Sequence, residues 1–264
     1  MPGARLDYSR PVLRSPETTN FVAVVDFDAL PLGVWSEREI AETFGAPRFT
    51  NGLGDGRVEL VAESGDQRAL RVHYPEGAVG PVAGGAQWLC ALGASYEALT
   101  LSYELRFGDG FDFVLGGKLP GLAGGSANTG GDRPNGSDGF SARMMWRPGG
   151  KVVQYLYHPD QLGVWGDDLP WDRGGARSFR PGTWHAVRHE IVLNTPGRHD
   201  GVLRGFFDGE LALERRDLRF RDVATLALDH FYFSTFFGGN TPEWGPTRDE
   251  HVDFAKVRVI NGAA

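Results

Sequence analysis

Cysteine is almost missing from this chain: Cys90 stands alone among 264 residues. No intrachain disulfide can form, and a lone thiol says little about compartment. Its neighbours Leu89 and Ala91 favour a buried core position over a nucleophile. No apolar run is long enough to cross a bilayer, so no membrane partner is expected, and Met1 to Pro16 lacks a signal-peptide pattern. His-Glu-x-x-His, paired-cysteine and calcium-loop patterns are absent, and the segment from Gly121 to Gly139 carries no phosphate-binding signature. Basic tails and basic helices are also wanting. With a formal net charge of -7, nucleic acid is excluded as a partner. The same charge repels polyanions at long range, but screening over about 8 Å leaves a local cationic groove able to hold one by close contacts.

What is present is glycine and proline, 38 and 16 residues of each, in a chain that is 41% hydrophobic and 12% aromatic. Turns should therefore be frequent and the core sizeable. Residues 1–20 are polar and proline-interrupted and are expected to form an N-terminal arm. Strands are predicted at 21–27, 57–62, 69–74, 86–91 and 99–107, and after the centre at 183–193, 202–207, 210–214, 227–237 and 251–260. Asp208-Gly209 is a two-residue hairpin turn. Ser36 caps one helix ending near Gly45, with Glu39 completing a capping box, and a second helical turn is expected near 217–223. No repeat, linker or compositional break divides the chain. The expectation is one all-β domain over 21–264, an antiparallel two-sheet β-jelly-roll sandwich with a concave substrate groove.

The central stretch, Phe111 to Pro159, contains three strand-like runs. Phe140, Ala142, Met144 and Trp146 alternate with Ser141, Arg143, Met145 and Arg147, so Ser141 and Arg143 share a face. After Pro148-Gly149-Gly150, Tyr155 and Tyr157 also share one. A two-residue turn would send the tyrosines into the core. A three-residue loop, with Pro148 opening a type I turn and Gly150 left-handed, pairs Arg143 with Tyr155 and Ser141 with Tyr157. It also pairs Trp146 with Val152 and Ala142 with Leu156, making the other face continuously apolar, and is the register expected.

These segments carry a resemblance. Gly116-Gly117-Lys118-Leu119-Pro120-Gly121-Leu122, Phe140 to Arg147, Tyr155-Leu156-Tyr157 and Phe233-Ser234-Thr235-Phe236-Phe237-Gly238-Gly239 together resemble the family 14 polysaccharide lyases, alginate lyases, and are similar in layout to family 20 glucuronan lyases. The likeness runs from about Phe21 to Val259. It implies a β-jelly roll that cleaves a uronic-acid polymer by β-elimination, with catalytic residues at Lys118, Ser141, Arg143, Tyr155 and Tyr157. Family members often carry cysteines in the glycine-rich loop, and 121–139 has none. An anionic polysaccharide is the expected partner, the chain is expected to act as a monomer without a required cofactor, and a secreted or periplasmic location is expected.

The chemistry can also be argued from the residues. Removing a proton alpha to a carboxylate requires that carboxylate's charge to be countered, which Arg143 can do with a planar fork and Lys118 with a second positive charge. A tyrosine lowered by nearby cations from its usual value of about 10 can serve as base and then protonate O4. Tyr155, Tyr157 and Lys118 all remain candidates. Ser141 suits hydrogen bonding better than attack, since no His-acid partner is evident. Gln87 and His158 are further candidate substrate contacts, although His158 has the opposite parity to Tyr157. Trp165 and Trp171 can stack on sugars or anchor loops. His185 and His189 read as core or edge residues, and Asp26, Asp28 and Asp253 as turn carboxylates with a structural calcium as the alternative. The competing view of the cluster is structural: Arg143 paired with an acid such as Asp112, Lys118 solvated, and the tyrosines ordinary surface aromatics. A lectin-like jelly roll without turnover is the rival function.

Overall fold

Alternating side chains sort this chain into two layers. A computed structural model describes residues 21–263, and the arm expected over 1–20 lies outside the described residues. The strands are β1 (Phe21–Val25), β2 (Gly33–Val34), β3 (Pro47–Asn51), β4 (Val58–Ala62), β5 (Arg68–Tyr74), β6 (Ala86–Tyr96), β7 (Ala98–Phe107), β8 (Gly117–Gly125), β9 (Gly139–Trp146), β10 (Val152–Tyr157), β11 (Asp167–Pro170), β12 (Trp184–Val192), β13 (Gly201–Phe207), β14 (Glu210–Leu218), β15 (Leu228–Phe237) and β16 (Glu250–Asn261). A nine-stranded sheet runs β14-β13-β12-β7-β16-β5-β4-β2, with β1 on β16; a seven-stranded sheet runs β11-β10-β9-β8-β15-β6-β3. Every pairing is antiparallel. This is the expected jelly-roll sandwich.

The core lies between the sheets. Leu101, Leu105, Val252 and Phe254 from one layer meet Leu122, Ala142, Met144 and Leu156 from the other. Aromatic rings fill much of it: Phe107 packs on Phe111 and Phe113 at 4.7 and 5.0 Å, and Trp88 stacks on Phe233 at 3.9 Å. Such pairs each contribute about 0.5–1.5 kcal/mol beyond burial. Cys90 is buried as expected, and burial pushes its thiol up to about 12.

The helix α1 (Glu37–Phe44) forms as its caps dictate: Ser36 and Glu39 make a reciprocal capping box and Gly45 ends it. Asp208 and Gly209 both take positive φ, 49° and 87°, as a type I′ hairpin requires. Other expectations need correction. Residues 111–115 are a turn that inserts Phe111 and Phe113 into the core, not a strand. The strand begins at Gly117 and continues into the expected glycine loop as far as Gly125. No helical turn forms over 217–223; a short α2 (Gly80–Ala83) forms instead. The short strands β2, β3 and β11 carry too little alternation to be seen in advance.

Pro120 sits inside a central strand, a place that proline's missing N–H normally forbids. The ladder breaks around it on both sides, between Leu119 and Leu122 against β9 and between Tyr232 and Phe236 against β15. The extra residue resets the parity, so that Leu119 and Leu122 both enter the core while Lys118 faces out.

Candidate active site

The β9–β10 hairpin fixes the site. Arg143 pairs with Tyr155, Ser141 with Tyr157, Trp146 with Val152 and Ala142 with Leu156, the register expected from the sequence. The turn differs in detail: Gly149 as well as Gly150 is left-handed, at φ 71° and 75°, which rules out a type I turn but leaves the register unchanged. Lys118 joins from β8 opposite Met145. Ser234 and Tyr232 contribute from β15, and Gln87 from β6 opposite Ser234.

These side chains lie on the outer face of the seven-stranded sheet. Met145, Val153, Tyr155 and Tyr157 form an apolar cluster separate from the main core, so the phenols are not turned between the layers. The trough is deeper than an open groove: Lys118, Arg143, Tyr155 and Tyr157 are 9, 1, 5 and 1% exposed. The glycine loop 126–138 explains part of this burial. Ser141 Oγ donates to the Asn128 carbonyl at 2.6 Å, Arg143 Nη2 donates to Thr129 Oγ1, and Gly131 N–H donates to the Tyr157 hydroxyl at 3.1 Å.

Arg143 also donates to Ser234 Oγ at 3.1 Å and lies 4.9 Å over the Tyr232 ring. Its Nε has no partner, and none of the described residues gives it a carboxylate. Asp112, the acid considered for it, instead accepts from Val114 N–H and the Thr247 hydroxyl. Lys118 is no solvated loop lysine. Its Nζ lies 4.0 Å over the Tyr155 ring and 2.9 Å from Met145 Sδ. Burial, then the nearby Arg143 and Arg147, hold its amine well below the ordinary lysine range. At Tyr155 the expected cationic lowering is overruled, because burial and the neighbouring Tyr157 raise that phenol above its ordinary value.

Gln87 reaches the same face, donating to Asn51 Oδ1 at 2.9 Å and accepting from the Tyr232 hydroxyl at 3.2 Å. His158 is not brought to the cluster. Its Nε2 lies 3.0 Å from Asp167 Oδ2, so it braces a loop. Trp171 is buried as a loop anchor, whereas Trp165 is half exposed. His185 and His189 are core residues, His189 bonded to Gln154. The calcium alternative finds no support at its candidates: Asp253 is engaged by Arg71 and Arg106, and Asp26 caps the Asp28 N–H. Among the described residues no group of three acidic, histidine or cysteine side chains could hold a metal.

Five contributors were not singled out in advance. Met145 and Arg147 continue the Arg143 alternation, and Ser234 and Tyr232 alternate with core Phe233, so periodicity could have revealed them. Thr129 lies in a loop without periodicity and gave no signal.

Two basic side chains without a carboxylate partner among the described residues, two phenols and an amide on one sheet face suit an acidic sugar polymer, and the fold and site define a carbohydrate-active jelly roll. The chain belongs to the Polysaccharide lyase 14 family, which matches residues 62–257; it is a lyase of uronic-acid polymers. The structure of alginate lyase Aly36B is 26% identical, with a TM-score of 0.77 over 90% of this chain and 96% of that one. A lysine-and-tyrosine double mutant of Aly36B bound to alginate tetrasaccharide gives 25% identity and 0.78 over 90% and 96%. The marine PL-14 alginate lyase from Aplysia kurodai gives 26% and 0.74 over 93% and 100%. No curated protein matches the chain in sequence.

Proposed function

We propose that this chain cleaves alginate by β-elimination in the trough built by Lys118, Arg143 and Tyr157. One observation carries the assignment: Arg143 and Lys118 are buried side by side, and among the described residues neither has a carboxylate partner. Arg143 holds the uronate carboxylate and stabilises the charge that grows on it as C5 loses its proton. Lys118, whose amine is held below the ordinary lysine range by burial and then by the nearby Arg143 and Arg147, takes that proton. The C5–H electron pair forms the C4=C5 double bond, the C4–O4 bond breaks, and O4 leaves with its electron pair and receives a proton. Tyr157 supplies it. Its oxygen accepts from Gly131 N–H, which leaves its own proton free for the substrate. Tyr155 packs beneath Lys118 and keeps the amine dry, while Ser141 fastens the glycine loop. Gln87 contacts a neighbouring sugar.

The sugar-bound mutants of Aly36B support this reading, since they alter a lysine with either a tyrosine or a methionine, the residue types of Lys118, Tyr157 and Met145. A polymer too large to enter a cell calls for a secreted or periplasmic enzyme, and among the described residues no helix is long and apolar enough to cross a membrane. The test is absorbance of unsaturated uronate on alginate, polymannuronate, polyguluronate and glucuronan. Binding without absorbance on all four would leave a lectin-like protein. Tyr157→Phe should lose about 10²-fold or more in kcat; retention of more than about a tenth would show that Lys118 returns the proton itself.

A further inference from the structure

Leu162, Val164 and Trp165 are 94, 63 and 53% exposed, and all three stand on the loop from β10 to β11. That loop is braced. Buried Gln161 donates its Nε2 to the carbonyls of Gly163, Val164 and Trp165 at 3.0, 3.2 and 3.3 Å. Leu162 N–H donates to Asp167 Oδ1 at 3.2 Å, and His158 holds the other Asp167 oxygen. The loop also adjoins the reaction centre. Gly166 lies flat on the Tyr157 ring, where a Cβ would come within 2.7 Å of a ring carbon. Trp165 lays its indole over Gly131, 3.5 Å from where a Cβ would stand, and Gly131 is the donor to the Tyr157 hydroxyl.

A large apolar ring fixed at the rim of a trough for a polymer, with half its surface open, is suited to stacking on the apolar face of a pyranose. We propose that Trp165 is a sugar-stacking platform for a uronate unit beyond the cleaved bond, on the Tyr157 side of the trough. This rests on the polyuronate reading above. It adds a chain-length preference, because only a polymer that extends past Tyr157 reaches the indole.

The test compares Trp165→Ala, Trp165→Phe and, on the same loop, Leu162→Ser. With polymannuronate, Trp165→Ala should raise KM about five- to tenfold with kcat within about twofold. Trp165→Phe should recover most of the loss and Leu162→Ser should match the parent. A second arm titrates the polymer into Lys118→Ala by calorimetry, with and without Trp165→Ala, and expects the same weakening of Kd. Unchanged KM and Kd would overturn the platform, as would a change of oligomeric state in Trp165→Ala, which would make the ring an interface between copies. If the parent shows no turnover while Trp165→Ala still weakens binding, the elimination reading falls and the platform stands.

Discussion

The two sheets turn opposite kinds of charged surface outward. On the nine-stranded sheet, Arg71 and Arg106 converge on buried Asp253 at 2.7 Å each, Arg106 also reaches Glu63, and Arg204 lies between Glu190 and Glu214. Burial alone would raise the Asp253 carboxyl, yet the two guanidinium groups hold it below its ordinary range. On the seven-stranded sheet, Arg143 has hydroxyl partners, and Lys118 has a sulfur and a ring. Cations that serve the fold are matched inside the chain. In the trough Arg147 is likewise matched, by Asp168 at 2.7 Å, whereas among the described residues Arg143 and Lys118 have no carboxylate partner. Even the cavity of about 430 Å³ lined by Arg173 and Glu214 follows the first pattern, since these two side chains pair at 2.6 Å.

Substitution separates the two surfaces. Arg143→Met should lower kcat/KM by about 10³-fold or more without lowering Tm, because an uncompensated buried charge does not stabilise the fold. A large fall in Tm would place Arg143 with the structural arginines. Lys118→Met should lower kcat by about 10²-fold or more and raise Tm at neutral pH by about 2–4 °C. The sign follows from its depressed folded pKa: between that value and about 10.4 the unfolded chain binds the extra proton, so Lys118 weakens the fold at neutral pH. In the parent enzyme, turnover should rise with pH through the same depressed value, earlier than an ordinary lysine would allow. Asp253→Asn should cost about 3 kcal/mol in denaturant unfolding while leaving kcat unchanged; lost turnover would erase the distinction between the surfaces. The smallest effect concerns His189, which burial pushes down to about 3. Its contribution is intact above about 6.5 and is lost as pH falls from there toward about 3, by at most about 1.4 kcal/mol per pH unit. His189→Gln should shallow this acid limb in a Tm-versus-pH series.

Much of the trough floor was legible because period-two alternation is strict within a hairpin: once the Pro148-Gly149-Gly150 loop fixed the register, Ser141, Arg143, Tyr155 and Tyr157 could only share a face. Parity also warned that His158 would turn away. Two things were hidden. Pro120 shifts the parity of β8 by a bulge that no local pattern announces. The depth of the trough depends on Asn128, Thr129 and Gly131 folding back over distant strands, a tertiary contact without a sequence period. The raised phenol of Tyr155 follows from that same depth, as composition alone suggested cationic lowering.

The stitched glycine loop has a consequence for turnover. Arg143 already donates to the hydroxyls of Thr129 and Ser234, so an arriving carboxylate exchanges contacts there instead of simply adding them. A stray acetate or sulfate gains little from such an exchange, while a long chain recovers the loss through many simultaneous contacts. After cleavage the shortened ends lose that advantage, and the loop can reclaim its partners, which favours departure of the product over its retention.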